Sequence, residues 1–339
     1  MISTCIIGAS GYTGAELIKI IIQHPHFSLD ACYVSNGSED SNKTIGAIHP
    51  QLLGRTSLVT IALEPNELSQ LADTYDAIFL ATPHEASHDW ASALSGKKAK
   101  IFDLSGAFRL QDAKVFEAYY GFKHEQTSIL KNAVYGLAEW HSEAIKSASF
   151  VAVPGCYPTA SLLALKPMSE AGFIDPQVRP VINATSGVSG AGRKPSMTTS
   201  FFEVSLQAYG VLGHRHTPEI EDYSGAKVIF TPHLGQFKRG ILATITMKLL
   251  PNISAEDIRQ RFEHHYAEQA LVRLRDTWPK IDDVANTPFC DIHWKFDEDS
   301  AYLVVSSAID NLLKGAASQA VQCANLVFKL PSETGLIKL

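Results

Sequence analysis

Cys156 is the residue of this chain whose surroundings most favour covalent chemistry. It lies in the stretch Val-Pro-Gly-Cys-Tyr-Pro-Thr, in which Gly155 frees the backbone and Pro158 suits the first turn of a helix. The sulfur is therefore expected at a helix N-terminus, where aligned peptide dipoles favour the thiolate that attacks electrophiles. A role as a small core residue is the alternative for Cys156 and our expectation for the other cysteines, which are Cys5, Cys32, Cys290 and Cys323.

Two histidines on either side of an arginine supply further groups that a thiolate mechanism needs. Histidine exchanges protons near neutral pH, so we expect His214 and His216 to provide the acid or base, and Arg215 to bind an anion. We favour His214 for proton transfer, because Thr217 as N-cap and Pro218 after it indicate a helix start that occupies His216. The alternatives are solvated or packing histidines and a metal site. A metal is disfavoured because no third ligand is spaced nearby, and none is predicted.

Two polar loops offer hydrogen-bond donors to an anionic ligand. Ser105 and Arg109 follow a strand predicted over residues 100–104, at the carboxyl edge where α/β sheets bind ligands. A guanidinium can bind a phosphate or carboxylate through two parallel hydrogen bonds. The Gly- and Ser-rich stretch 185–194 carries Arg193 and suits a loop that closes over a ligand or cofactor. Loop capping and a solvated linker are the respective alternatives.

The N-terminal stretch has the order of elements that a dinucleotide site requires. A short apolar strand leads into a G-x-x-G-x-x-G turn and then a helix. The glycines let the backbone approach a pyrophosphate, whose charge is met by N–H groups at the helix N-terminus. The spacing differs from G-x-G-x-x-G, and an ordinary strand–helix turn is the alternative. The residues predicted to contact the cofactor here are Gly8, Ser10, Gly11, Tyr12, Thr13 and Gly14.

The end of the second strand indicates which dinucleotide is bound. NAD sites usually carry an acidic residue about 20 residues after the glycines. Here that point holds Ser35 and Asn36, which can donate to a 2′-phosphate, and Lys43 follows in the same loop. This pattern favours NADPH and NADP⁺, although Glu39 and Asp40 argue mildly the other way.

The elements that position these residues fall into two regions. Up to residue 153, apolar runs alternate with helical patterns, which predicts parallel βαβ units. After that, strand patterns dominate, as expected for a mixed sheet in a second domain, and an apolar helix over residues 312–328 is expected to pack back on the first domain. The predicted strands cover residues 4–8, 29–34, 77–81, 100–104, 178–184, 226–230, 241–250 and 302–307, and the first helix covers residues 15–23.

Composition excludes several classes of function. The chain has 339 residues, which suggests two domains. Its net charge is −6 and it contains no run of basic residues, so we expect neither nucleic-acid nor membrane binding. Five cysteines without metal-ligand spacing predict no disulfide framework or zinc site, and reduced thiols imply the cytosol. We find neither a signal peptide nor an apolar stretch of membrane-spanning length.

Taken together and in order, these motifs make the chain resemble the N-acetyl-gamma-glutamyl-phosphate reductase family of arginine biosynthesis over nearly its whole length. The stretches that carry the resemblance are Gly8-Ala-Ser-Gly-Tyr-Thr-Gly14, Asp103-Leu-Ser105, Phe108-Arg-Leu110, Ala133-Val-Tyr-Gly-Leu137, Pro154-Gly-Cys-Tyr-Pro-Thr159, Ser186-Gly-Val-Ser-Gly-Ala-Gly-Arg-Lys194, His214-Arg-His-Thr-Pro-Glu219, Phe230-Thr-Pro-His-Leu234 and Asp310-Asn-Leu-Leu-Lys-Gly-Ala-Ala317. The chain departs from the family pattern in the longer, less basic loop 35–43 and in Gly106-Ala107 before Phe108.

The resemblance implies a fold, an assembly and an activity. The fold is α/β: a Rossmann-type NADP-binding domain over residues 1–153 with 314–339, and an α+β catalytic and oligomerisation domain with a mixed sheet over residues 154–313. The assembly is a homodimer or homotetramer. The activity is NADPH-dependent reduction of an acyl-phosphate substrate through a thioester on Cys156.

By position, the resemblance also assigns roles. Ser105 and Arg109 contact the substrate or its phosphate, with Arg193 and Arg215 as further anion contacts, and Asn311 lies near the cofactor together with Ser186 and Gly187. Three rivals stay open at this point: reduction of N-acetyl-aminoadipyl phosphate, reduction of aspartyl phosphate, and a non-catalytic Rossmann-fold regulatory protein.

Overall fold

The computed structural model describes residues 1–337, and the chain divides into two compact units. Unit 1 consists of residues 1–117 and 122–154 and of the chain from Ala316 onwards. Unit 2 consists of residues 118–121 and 155–315. Residues 338 and 339, which belong to the first domain predicted from the sequence, lie outside the described residues.

A seven-stranded sheet in which all neighbouring strands run parallel forms the centre of unit 1. Its strands are β1 (Ile2–Ile7), β2 (Phe27–Ser35), β3 (Thr60–Leu63), β4 (Ala77–Leu80), β5 (Lys100–Asp103), β6 (Val134–Tyr135) and β7 (Phe150–Ala152). Their order across the sheet is β3-β2-β1-β4-β5-β7-β6. The order reverses between β1 and β4, and in such sheets the ligand crevice lies at the carboxyl ends of the strands where this reversal occurs.

A seven-stranded mixed sheet forms the centre of unit 2. Its strands are β8 (Val181–Gly187), β9 (Gln207–Ala208), β10 (Ile229–Gly235), β11 (Ile241–Lys248), β12 (Val272–Leu274), β13 (Cys290–Asp297) and β14 (Tyr302–Ile309). The order is β12-β13-β14-β11-β8-β10-β9, with parallel pairs β8–β10 and β12–β13 and antiparallel pairs elsewhere. The predicted fold class, a Rossmann-type domain followed by a mixed-sheet domain, is confirmed.

Twelve α-helices accompany the two sheets within the described residues. They are α1 (Tyr12–Ile21), α2 (Ile45–Ile48), α3 (Leu68–Thr74), α4 (His84–Leu94), α5 (Ala113–Tyr120), α6 (Thr127–Asn132), α7 (Ala138–Lys146), α8 (Cys156–Glu170), α9 (His216–Ser224), α10 (Ala255–Tyr266), α11 (Ile281–Val284) and α12 (Ser318–Val327). The five residues Leu313–Ala317 form a π-helical turn. No helix within residues 1–337 is long and apolar enough to cross a membrane.

Helices cover both faces of the parallel sheet, which explains why its central strands are apolar on both sides. All four residues of β4 are buried, as expected for a strand enclosed by two helical layers. One core cluster joins the sheet to α1, α7 and α12, and the other joins it to α3 and α4. The prediction that the last long helix packs on the first domain is therefore confirmed.

Several predicted boundaries are wrong. Strand β10 begins at Ile229 rather than at residue 226, and it continues through Pro232 to Gly235 because β8 pairs with it along its whole length. The segment predicted as a helix from residue 312 opens with a π-helical turn, in which Gly315 N–H donates to Asp310 O at 2.9 Å. Strand β13 was not predicted, since its mixed polar and apolar sequence is ordered by pairing with β14.

Candidate active site

Cys156 lies at a helix N-terminus, as predicted, and is the first residue of α8, two residues before Pro158. Gly155 in an extended conformation is the N-cap and carries no side chain that could cap the helix. The first backbone N–H groups of a helix have no partner within it and favour an anion. Cys156 is half-buried, whereas the other four cysteines are buried in the core. Among them, burial raises the pKa of Cys32 to about 12, so Cys156 is the thiol best placed to react.

Two contacts from unit 2 fix the turn that carries the sulfur. The backbone N–H of Gly155 donates to Oε1 of the fully buried Glu219 at 2.8 Å. Gly315 packs on the other side, where a Cβ atom would lie 2.8 Å from Cβ of Cys156. A side chain at position 315 would therefore displace the cysteine, which explains why a glycine occupies this position.

Cys156 opens into a cavity of about 520 Å³ in unit 2. Six residues that the sequence singled out line this cavity: Cys156, Ser186, Gly187, His214, Arg215 and His216. The same cavity has lining residues that sequence reasoning missed: Tyr119, Tyr157, Thr198, Thr199, Gln207 and Tyr209. Of these, Tyr157 was signalled only by its place next to the cysteine.

The start of helix α9 differs from the prediction in a way that bears on the histidines. Thr217 was expected to be the N-cap, but α9 begins at His216 with Arg215 as N-cap. The backbone N–H of His216 donates to Nδ1 of His214 at 3.1 Å, and that of Thr217 donates to the His214 carbonyl at 2.9 Å. His214 thus satisfies N–H groups at the helix start, a task that the sequence pattern had assigned to Thr217.

This hydrogen bond fixes the proton on the His214 ring. Because Nδ1 accepts from His216, the neutral imidazole carries its proton on Nε2. Burial, with the nearby Arg215 charge as a second cause, lowers the pKa of His214 to about 4. His214 is therefore neutral at pH 7 and presents an N–H donor.

Three aromatic rings pack against the partly buried His214. The ring centroids of Tyr157, Tyr209 and Phe230 lie 5.8, 5.5 and 5.5 Å from that of His214, each in an edge-to-face arrangement. The Tyr209 hydroxyl donates to the Tyr157 hydroxyl at 3.1 Å, which in turn donates to the His233 carbonyl at 3.0 Å. Burial raises the pKa of both tyrosines, so these hydroxyls keep their protons at neutral pH.

In unit 1 the glycine turn has the shape of a phosphate-binding loop. Gly8 has φ +94°, and a Cβ there would lie 2.2 Å from the Ala81 carbonyl oxygen. A Cβ on Gly14 would lie 2.4 Å from the Gly8 carbonyl oxygen. Gly11 is the N-cap of α1 and provides no capping side chain, so the first N–H groups of α1 are suited to a pyrophosphate. Ser10, Tyr12 and Thr13 lie in or next to this turn.

The residues predicted to select NADPH lie at the end of the second strand and in the loop that follows. Ser35 is the last residue of β2 and is exposed. Lys43 is half exposed, and its Nζ lies 3.8 Å from Oδ1 of Asp40, which partly neutralises its charge.

Ser105 and Arg109 lie on a tightly held loop of unit 1. The buried Asp103 carboxylate accepts from the Ser105 N–H and Oγ at 2.9 Å each and from Ser87 Oγ at 3.0 Å. Arg109 is buried and donates to the carbonyls of Val153 and Leu104, at 2.7 Å each. Two of its five N–H donors are thus used to hold the backbone.

Two further predicted residues lie apart from the cavity lining. Arg193 is exposed and is absent from that lining within the described chain. Asn311 is buried, with Oδ1 accepting from Gly240 N–H at 2.7 Å and Nδ2 donating to Ser189 Oγ at 3.0 Å. Asn311 therefore anchors the loop after β8. Over residues 1–337, no three His, Cys, Asp or Glu side chains form a group that could hold a metal ion.

Both regions of the chain match described families. Residues 3–148 match the family "Semialdehyde dehydrogenase, NAD binding domain", and residues 156–311 match "Semialdehyde dehydrogenase, dimerisation domain". Among solved structures, aspartate semialdehyde dehydrogenase II from Vibrio cholerae superimposes with a TM-score of 0.72 at 17% identity, covering 97% of this chain and 98% of that one. At this identity the likeness concerns the fold alone.

Relatives of much higher identity share one name. The N-acetyl-gamma-glutamyl-phosphate reductase of Pseudoalteromonas atlantica is 63% identical over 337 residues, covering 99% of this chain and 98% of the relative. That of Alteromonas mediterranea is 60% identical over 337 residues, covering 99% of this chain and 100% of the relative.

Proposed function

This chain belongs to the family of N-acetyl-gamma-glutamyl-phosphate reductases, and we propose that it reduces N-acetyl-gamma-glutamyl phosphate to N-acetylglutamate 5-semialdehyde, a step of arginine biosynthesis. The observation that carries this proposal is the position of Cys156 at the N-terminus of α8, open to a cavity that also contains His214 and Arg215. Ser105, Arg109 and Arg193 are the further substrate contacts that we propose.

The chemistry begins at the sulfur. The Cys156 thiolate attacks the acyl carbon, the bond between that carbon and the phosphate oxygen breaks, and phosphate leaves with the electron pair, so a thioester remains on Cys156. Hydride addition to the thioester carbon gives a tetrahedral adduct that collapses to the aldehyde and returns the thiolate. Backbone N–H groups at the start of α8 are suited to stabilise the negative oxygen of both tetrahedral species.

His214 and Arg215 manage charge around the acyl group. With Nδ1 held by His216, the Nε2–H of neutral His214 acts as a donor, either to the acyl oxygen or to the departing phosphate. Arg215 supplies a positive charge on the same cavity wall. His216 is buried at the first position of α9 and serves mainly to hold the loop.

The glycine turn of unit 1 fits a dinucleotide. Gly8, Ser10, Gly11, Tyr12, Thr13 and Gly14 would hold its pyrophosphate, and Ser35 and Lys43 the 2′-phosphate that distinguishes NADPH. Ser186, Gly187 and Asn311 are the remaining cofactor contacts that we propose. Bound NADPH supplies the hydride for the reduction.

The proposed assembly is supported by the family match, and the proposed location by the cysteines. Because residues 156–311 match a dimerisation domain, the chain forms a homo-oligomer, and we propose a homodimer or homotetramer. We propose residues 1–153 with 314–339 as the cofactor domain and 154–313 as the catalytic and oligomerisation domain. A cytosolic location is supported by five cysteines that are all free thiols.

The test is reductase activity measured in reverse on three substrates. The enzyme is given phosphate, NADP⁺ and either aspartate semialdehyde, N-acetylglutamate semialdehyde or N-acetyl-aminoadipate semialdehyde, and NADPH formation is followed by absorbance. We expect the highest kcat/KM with the N-acetylglutamate compound. Preference for either other semialdehyde would contradict the proposed substrate, and no turnover with any of them would favour a regulatory protein.

A further inference from the structure

Unit 2 displays a group of large apolar side chains on one loop. In the segment 196–206, which we term the Phe201 loop, Phe201 is 87% exposed and Phe202 is 94% exposed. Met197 and Leu206 on the same loop are also exposed. Single exposed apolar residues are normal, but several of them together on one loop mark a binding surface.

Hydrogen bonds within the loop fix its backbone, and this backbone conformation keeps the apolar side chains exposed. A 3-10 turn at Met197–Thr199 leads into Ser200, whose carbonyl accepts from the backbone N–H groups of Glu203 and Val204 at 3.1 and 2.9 Å. The Gln236 amide donates to the Val204 carbonyl, which ties the loop to the residue that follows β10. The two phenylalanine rings contact each other edge to face, with centroids 5.6 Å apart.

The Phe201 loop is also a wall of the active-site cavity. Thr198 and Thr199, which only Ser200 separates from the phenylalanines, line the same cavity as Cys156 and His214. A binding partner that covers Phe201 and Phe202 would therefore also restrain the Thr198–Thr199 wall of the cavity.

The composition of the loop favours a second copy of the chain as this binding partner. Glu203 is the only charged residue between positions 195 and 213, so two copies of the loop can meet without like charges facing each other across a large area. The two phenylalanines can bury roughly 300–400 Å² of apolar surface per protomer. This is close to half of the ~800 Å² that each partner buries in a standard interface. A membrane surface is less favoured because such surfaces attract clusters of four or more basic residues, and the ten residues before the loop contain only Arg193 and Lys194.

We propose that a second copy of this chain covers Phe201 and Phe202 and thereby holds the Thr198–Thr199 wall of the Cys156 cavity in its active shape. The interface is then part of the active site, and a protomer that lacks its neighbour binds substrate poorly. The predicted effect on catalysis rests on the proposed reductase function. The predicted effect on assembly does not, because it is measured as the mass of the protein in solution.

The experiment compares the wild type with Phe201→Ser/Phe202→Ser. Mass is measured by light scattering after gel filtration across a dilution series, and kcat and KM for the acyl phosphate are measured at the same concentrations. Leu53→Ser is the matched control, since Leu53 is also a largely exposed apolar residue, at 75%, but belongs to unit 1. Circular dichroism and the thermal unfolding midpoint show that each variant is folded.

We expect the double variant to have half the wild-type mass or less, with roughly a 30-fold or larger rise in the dissociation constant for each phenylalanine lost. We expect kcat/KM to fall roughly tenfold or more, mainly through KM, with NADPH binding retained. Unchanged mass in the variant, or a monomeric wild type, would overturn the interface. Half the mass with unchanged KM would overturn the link to the cavity. Loss of lipid-vesicle binding in the variant, with unchanged mass, would assign the loop to a membrane instead.

The two proposals fail in distinguishable ways. A wild type that is inactive on acyl phosphates yet loses mass on Phe201→Ser/Phe202→Ser refutes the reductase function but retains the interface. An active wild type whose mass is unaffected by the substitutions does the reverse.

Discussion

Replacement of His214 by asparagine separates two tasks that the structure gives to this ring. The Asn side-chain oxygen can still accept the His216 N–H in place of Nδ1, so the start of α9 should survive. The Nε2–H that we propose as a donor to the acyl group or the departing phosphate is lost. Removal of one preorganised donor of this kind costs about 10²–10³ in kcat. We therefore expect His214→Asn to lower kcat by roughly 10²-fold.

The low pKa of His214 sets the expected pH dependence. With a pKa of about 4, the ring is neutral throughout the range from pH 5 to pH 8, so it contributes no inflection near the ordinary value of 6.5. Its titration produces an acid limb of the wild-type kcat/KM profile near pH 4, and that limb should be missing in His214→Asn.

The same shift affects stability with a definite sign. In the unfolded chain His214 takes up a proton below about pH 6.5, whereas in the folded chain it does so only near pH 4, so acidification between these values favours unfolding. From pH 7 to pH 5 this linkage removes about 2 kcal/mol from the free energy of unfolding of the wild type. His214→Asn should lack that loss, which urea unfolding at the two pH values measures.

His216→Asn is the matched control for the kinetic experiment. Because His216 is buried at the first position of α9, its replacement should act mainly on KM and leave the acid limb in place. Equal losses of kcat in both variants with unchanged pH profiles would refute the division of labour. A wild-type inflection near pH 6.5 that disappears in His214→Asn would refute the neutral imidazole.

Further outcomes are expected elsewhere in the molecule. NADPH should exceed NADH in kcat/KM by at least about tenfold, since we propose that Ser35 and Lys43 donate hydrogen bonds to the charged 2′-phosphate; equal values would contradict this. Gly14→Ala should abolish NADPH binding, measured by fluorescence titration, because its Cβ would lie 2.4 Å from the Gly8 carbonyl oxygen. Glu219→Ala should lower the free energy of unfolding by about 1–3 kcal/mol because the buried Gly155 N–H loses its acceptor, and unchanged urea denaturation would exclude that role.

Local rules predicted the parts of the site that lie on one segment of chain. The glycine turn and the cysteine at a helix start follow from backbone geometry within a few residues, and the structure places both where the sequence indicated. The alternation of apolar runs with helical patterns similarly predicted the parallel sheet, because buried strands between two helical layers need apolar side chains on both faces.

Features that depend on distant contacts were beyond local rules. The start of α9 was misplaced because the His214 ring accepts the His216 N–H, so the helix begins before Thr217, which was predicted as its N-cap. Glu219 was missed as an anchor of Gly155 because 64 residues separate the two. The contacts of Tyr157, Tyr209 and Phe230 with His214 likewise join three separate segments of the chain.

A thioester on Cys156 can be trapped when the hydride donor is left out. The enzyme is mixed with N-acetyl-gamma-glutamyl phosphate without NADPH, quenched in acid, and analysed by intact mass and peptide mapping. We expect one N-acetylglutamyl group on the peptide that contains Cys156 and released phosphate in equal amount. We expect neither in Cys156→Ser, which should still bind NADPH within a few-fold of the wild type. An adduct on another residue, or turnover by Cys156→Ser above about a tenth of the wild-type rate, would contradict the covalent mechanism.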